Sequence, residues 1–168
     1  MPELPEVETV RSGLAPAVTG ATVTGVRVLD VRSIRRHAGT VDTFVDELKG
    51  ARIESPVRRG KFLWLPLSGG DRTLVAHLGM SGQVLLRAPD APDDRLLRIR
   101  IDVDSPEHGP LSVAFVDQRI FGSMAVDDLL PTVDGEPGGY GSAAPRVPSQ
   151  VAHIARDPWI PPSTTAAS

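Results

Sequence analysis

The chain has 168 residues, 40% of them hydrophobic and only 4% aromatic, enough for one domain with a core of Val, Leu, Ile and Ala. It has no cysteine, which excludes disulfides and any cysteine-ligated zinc or iron–sulfur site within these residues. No apolar run approaches the roughly 20 residues that span a bilayer, and the acidic start lacks a basic-then-apolar leader, so a cytoplasmic protein with no membrane partner is expected.

In chain order, residues 5–17 read as a helix. Pro5 suits a first helical position, Val7, Val10, Leu14 and Ala17 recur at helical spacing, and Gly20 lies just beyond. Residues 22–31, rich in Val and Thr, read as a strand. A second helix is expected over 41–49, with Thr40 or Asp42 as cap, Phe44 and Leu48 on one face and Gly50 as the stop. The pattern then turns to β, with candidate strands at 52–58, 61–67, 72–78, 82–87, 95–103 and 111–117. Ser-Gly-Gly-Asp joins the second and third of these as a hairpin loop. In 95–103, Leu97, Ile99, Ile101 and Val103 alternate with Arg98, Arg100 and Asp102, the mark of a half-buried strand. The fold expected over residues 1–130 is therefore mainly β with α, an antiparallel β-sandwich flanked by two helices. Residues 131–150, dominated by Gly, Pro, Ser and Ala, read as a linker, and 151–168 as a short remnant and tail without periodicity.

The formal net charge of −3 taken alone argues against nucleic acid. The charges are segregated, however. Arg27, Arg32, Arg35 and Arg36 form one basic cluster and Arg52, Arg58, Arg59 and Lys61 another, while acids gather at Asp90–Asp94, Asp102–Asp104 and Asp127–Glu136. Such a face can bind phosphate on a chain that is acidic overall; ordinary solvated surface is the other reading.

The N-terminal string M-P-E-L-P-E-V-E-T carries more specific chemistry. Acids in a first helical turn complement the helix dipole, which accounts for Glu6 and Glu8 but not for Pro2 and Glu3. With Met1 removed, Pro2 would present a secondary amine of pKa roughly 8, partly unprotonated at neutral pH. Its attack on a sugar C1′ gives an iminium that has no N–H to lose and serves as an electron sink, and Glu3 can protonate the ring oxygen as the sugar opens. The string resembles the N-terminal signature of the formamidopyrimidine-DNA glycosylases. The related endonuclease VIII group usually has Gly where this chain has Leu4. The resemblance implies Pro2 as Schiff-base nucleophile, Glu3 as catalytic acid and Glu6 as a supporting carboxylate.

Further motifs follow in the family's order. In R-R-G-K, Lys61 opens a strand beside arginines and can reach a phosphate as a point charge. In H-L-G-M-S-G, two glycines around Met80 allow a tight turn with the side chain projecting, as a base-step wedge requires. The third motif is D-Q-R-I-F-G, residues 117–122. The resemblance implies that Lys61 contacts phosphate and lesion, that His77 contacts a phosphate and that Met80 fills the gap left by a flipped nucleotide. It implies further that Arg119 faces the orphaned cytosine and Phe121 wedges between bases, in line with the cost of extruding a base. Many relatives have a second basic residue where this chain has Ile120.

The family continues with a helix–two-turns–helix segment and a four-cysteine zinc finger, so this chain reads as its N-terminal catalytic domain, with no metal site and no cofactor of its own. The partner expected is damaged double-stranded DNA, bound by a monomer or alongside a separately encoded C-terminal half. Two readings stay open. One is a glycosylase and AP lyase acting on 8-oxoguanine and formamidopyrimidines. The other is a weak or inactive truncated domain.

Overall fold

The computed structural model describes residues 4–142 and 144–152, with side chains from Val7 onward. Pro2 and Glu3 lie outside the described residues, and of Glu6 only the backbone, within the first helix, is described. That helix, α1, spans Leu4–Val18 and buries Val7, Leu14, Ala17 and Val18. Gly20, at φ +80, then turns the chain and donates its N–H to the Ile53 carbonyl (2.7 Å). Strand β1 (Thr22–Val28) follows and stops short of the expected residue 31. Asp30 takes the chain out of the sheet, because its carboxylate accepts from the Arg32 amide (3.0 Å) and starts a 3-10 turn over Val31–Ile34. Helix α2 (Val41–Leu48) is opened by Thr40, whose hydroxyl accepts from the Thr43 amide (3.2 Å) while the Thr43 hydroxyl accepts from the Thr40 amide (2.9 Å).

The rest is β. The strands are β2 (Val57–Arg59), β3 (Phe62–Pro66), β4 (Arg72–His77), β5 (Gly82–Arg87), β6 (Leu97–Ser105), β7 (Gly109–Asp117), β8 (Ser123–Pro131) and β9 (Arg146–Pro148). They form two antiparallel sheets, β1-β6-β7-β5 and β2-β3-β4-β8-β9. The main core lies between them. Leu63, Leu65, Leu74, Ala76, Met124 and Val126 of one sheet meet Val23, Ile99, Ile101, Val103, Val113 and Phe115 of the other. Residues of α1, with Phe44 and Leu48 of α2, pack into the same cluster. The sandwich with two helices is thus as the sequence implied, and the β3–β4 hairpin pairs Phe62 with His77 and Pro66 with Thr73.

Four expectations need correction. The strand expected at 52–58 shrinks to isolated bridges at Arg52 and Ile53 and the short β2, with Pro56, which has no N–H to give, between them. Leu97 does not share the face of Ile99, Ile101 and Val103. A register shift between Leu97 and Ile99 turns it to the opposite face, where it packs with Ala114 and Val116. Arg100 is buried, not solvated, donating to the carbonyls of Pro89 (2.8 Å) and Ala91 (2.7 Å) and to Asp93 (3.1 Å). Finally, 131–150 is not a free linker. β9 pairs with β8, Tyr140 exchanges main-chain hydrogen bonds with Arg58 (2.9 and 2.8 Å), and Val147 and Val151 cover Val57, Phe62, Trp64, Val75 and Leu129. The cause is the second face of the five-stranded sheet, which is apolar and needs a cover.

A chain ended at Pro137 should accordingly lose about 2 kcal/mol or more in urea unfolding, the order expected from uncovering these side chains. A linker would leave the midpoint unchanged.

Candidate nucleic-acid interface

Register brings the sequence motifs to one end of the five-stranded sheet. Phe62 pairs with His77 and His77 with Ser123, so the turn carrying Lys61, the loop 78–81 after β4 and the loop 118–122 before β8 are neighbours. The last two loops nest. A Cβ on Gly79 would lie 2.9 Å from the Gly122 nitrogen and the Phe121 carbonyl carbon, and one on Gly122 would lie 2.6 Å from the His77 oxygen. Only glycine permits that approach. Gly79 also sits at φ +62, where other residues are strained.

Asp117 ties the loops together. It is 1% exposed at the end of β7. Its carboxyl accepts from the Ser81 hydroxyl (2.5 Å) on one loop, and from the Gly122 amide (2.7 Å) and the Arg119 amide (3.2 Å) on the other. Its carbonyl accepts from Arg98 Nε (2.8 Å). Between those amides Ile120 adopts φ +57, a conformation β-branched residues avoid at a cost on the order of 1–2 kcal/mol. The consequence is that Met80, 54% exposed, and Phe121, 47% exposed, stand in solvent rather than in the core. The Arg119 guanidinium lies 6.0 Å from the centre of the Phe121 ring.

His77 lies beside them, edge-on to Phe62 with ring centres 4.7 Å apart. Its Nδ1 accepts from the Gly79 amide (3.1 Å), which leaves the proton of the neutral ring on Nε2. Burial pushes its pKa below the ordinary value, and the positive charges of Arg36, Lys61 and Arg35 push it further down. The site therefore offers a neutral N–H donor inside a positive field.

The arginines divide differently from the sequence clusters. Arg58 and Arg59 are buried. Arg58 donates to Glu8 (3.1 Å) and lies over Tyr140, while Arg59 donates to the Gly138 carbonyl (2.7 Å). Glu8 also accepts from Arg11 (2.8 Å). Burial alone would raise the Glu8 carboxyl, but the hydrogen bonds and charges of Arg11 and Arg58 outweigh it and hold the pKa below the usual range. This cluster anchors α1, the helix that follows Pro2 and Glu3, to β2. Arg27 is paired with Asp93 (2.7 Å) and Arg32 with Asp30 (2.7 Å). Asp117 had no assigned role in the sequence reading, Glu8 only that of complementing the helix dipole, and Arg35 only membership of a basic cluster. Asp117 opens the third motif and Glu8 lies within the first, so motif membership was the available signal for those two.

The formamidopyrimidine-DNA glycosylase N-terminal domain model matches residues 1–124. The chain belongs to that family. It is 59% identical over 162 residues to the formamidopyrimidine-DNA glycosylase of Leifsonia xyli, covering 96% of this chain and 54% of that protein. It is 48% identical over 161 residues to the Nocardioides enzyme, covering 96% and 49%. The chain thus spans about half the length of the curated relatives it matches. Its fold is similar to that of the Lactococcus lactis glycosylase in complex with DNA containing FAPY-dG, with TM-score 0.65 and 27% identity over 74% of this chain and 43% of that one. The same enzyme bound to abasic-site DNA gives 0.66, at 27% identity over 75% and 44%.

Two outcomes follow for this domain. Asp117→Ala leaves the Ser81, Arg119 and Gly122 donors without their acceptor and should cost about 2–3 kcal/mol in urea unfolding, with Asp117→Asn costing less. A cost below about 0.5 kcal/mol would contradict the tie between the loops. For His77, a folded-state pKa below the ordinary 6.5 means that protonation favours the unfolded chain. Its contribution is complete above about pH 6.5 and is lost as pH falls below it. His77→Gln should therefore narrow the difference in urea midpoint between about pH 7.5 and 5.5, and an unchanged difference would contradict the shift.

Proposed function

We propose that this chain acts on damaged double-stranded DNA in base-excision repair, as a DNA glycosylase and AP lyase for oxidised purines such as 8-oxoguanine and formamidopyrimidines. The observation that carries the reading is the pair of exposed apolar side chains, Met80 and Phe121, held out by nested loops beside Lys61 and the neutral His77. Such side chains replace the stacking of an extruded base at a kinked duplex. Arg119, beside the Phe121 ring, offers a fork of donors to the base left unpaired. His77 Nε2 and Lys61 take flanking phosphates.

The chemistry belongs to the N-terminus. The Pro2 amine attacks C1′, and as the C1′–N bond forms the damaged base leaves with the electron pair of its broken bond and takes up the proton that the amine sheds, while Glu3 protonates the ring oxygen as the sugar opens. Glu6 supports Glu3. The resulting iminium accepts the electron pair left when a C2′ proton is removed, and the 3′ phosphate departs. At an abasic site the same amine condenses with the aldehyde and releases water.

The relatives are about twice as long as this chain, and DNA affinity grows with each phosphate neutralised. Residues 1–168 alone should therefore bind duplex in the roughly micromolar or weaker range. They should cleave at abasic sites more readily than they excise 8-oxoguanine. Borohydride trapping on an abasic duplex tests the chemistry. A covalent adduct is expected with a free Pro2 terminus and none when Met1 is retained. Trapping that persists through an internal lysine with the terminus blocked would overturn the Pro2 assignment.

A further inference from the structure

We propose that Arg35 is a positioning residue that aims Phe121 by gripping the main chain of its loop; the proposal rests on the wedge reading of Phe121 above. The Arg35 guanidinium gathers the carbonyls of three consecutive loop residues. Nη2 donates to the Phe121 oxygen (2.8 Å), and Nη1 donates to Gly122 (3.0 Å) and Ile120 (3.3 Å). Three successive carbonyls converge on one cation only where the chain turns sharply, and the left-handed Ile120 supplies that turn. On the other side, the Asp117 carboxyl takes the Arg119 and Gly122 amides. The loop is thus bracketed, with its donors satisfied by a carboxyl and its acceptors by a guanidinium.

Arg35 is itself well founded. It follows the 3-10 turn whose Ser33 and Ile34 are buried, and its Nη1 also donates back to the Arg32 carbonyl (2.9 Å). A planar fork suits this task, whereas a lysine ammonium is a single point charge on a flexible stem. Many residues could supply positive charge near DNA, but reaching three carbonyls at once requires the guanidinium geometry. Damage preference should therefore depend on a residue that acts through the loop backbone rather than on a base.

The experiment compares the full chain with Arg35→Gln, Arg35→Lys, Phe121→Ala and the Arg35→Gln/Phe121→Ala double variant. The first measurement is amide hydrogen exchange in free protein. Arg35→Gln should speed exchange of the Arg119 and Gly122 amides by about tenfold or more, the size of a lost charged hydrogen bond, and leave β3 and β4 amides unchanged. The second is affinity for a duplex carrying a tetrahydrofuran abasic analogue against its undamaged counterpart. Arg35→Gln should cut that preference by about fivefold or more without changing the salt slope, and Arg35→Lys should fall between. The double variant should be no worse than Phe121→Ala, because both changes remove the same wedge. Unchanged loop exchange in Arg35→Gln overturns the proposal. So does an equal loss on both duplexes with a salt slope reduced by nearly one, which marks a phosphate contact. If the unsubstituted chain shows no preference for the analogue, the wedge reading itself has failed, and the exchange result still decides whether Arg35 holds the loop.

Discussion

The two nested loops depend on one buried carboxyl. Asp117 ends β7 at 1% exposure, and its oxygens take a hydroxyl and two amides from the loops on either side. A buried acceptor stripped of its donors is expensive, and so are buried amides stripped of their acceptor, so these hydrogen bonds hold the two loops together. The left-handed Ile120 and the exposure of Phe121 follow from it. An apolar ring in water is unfavourable by itself. Here it is held there because the flanking amides are committed to Asp117 and the carbonyls to Arg35. Glycines 79 and 122 then let the loop that carries Met80 lie directly against the Phe121 loop.

Much of this was legible in the residues. The motifs named Met80, Arg119, Phe121, Lys61 and His77, and hydrophobic alternation located most of the strands. Alternation failed where a strand is covered on both faces. In β8, Ser123–Val126 are all buried, and the acidic pair Asp127–Asp128 then interrupts any run. Composition failed for 131–150, because Gly and Pro leave few side chains to signal packing, yet Tyr140 and Val147 are enough to tie the segment to the sheet. Charge clustering misled for the same reason. Arg59 finds its acceptor on Gly138 and Arg58 lies over Tyr140, residues about 80 positions away that no local pattern could pair with them.

The division of arginines has a functional side. With Arg58 and Arg59 spent on packing and Arg27 and Arg32 on carboxylates, the field around His77 comes from Arg36, Lys61 and Arg35. Burial lowers the pKa of this imidazole first and that field lowers it further, so a neutral N–H donor stands among positive charges. The Glu8 cluster has a comparable role at the N-terminus, where it fixes the helix behind Pro2 and Glu3 against the strand that leads to Lys61.

The central claim is that the nested loops present Met80 and Phe121 for insertion into a damaged duplex. It is tested most directly by the fluorescence of 2-aminopurine placed next to a tetrahydrofuran abasic analogue, titrated with the chain to saturation. Insertion should change the stacking of the probe and hence its emission at saturation, and the Met80→Ala/Phe121→Ala variant should bind with little or no such change. The same emission change from both proteins at saturation would contradict the account.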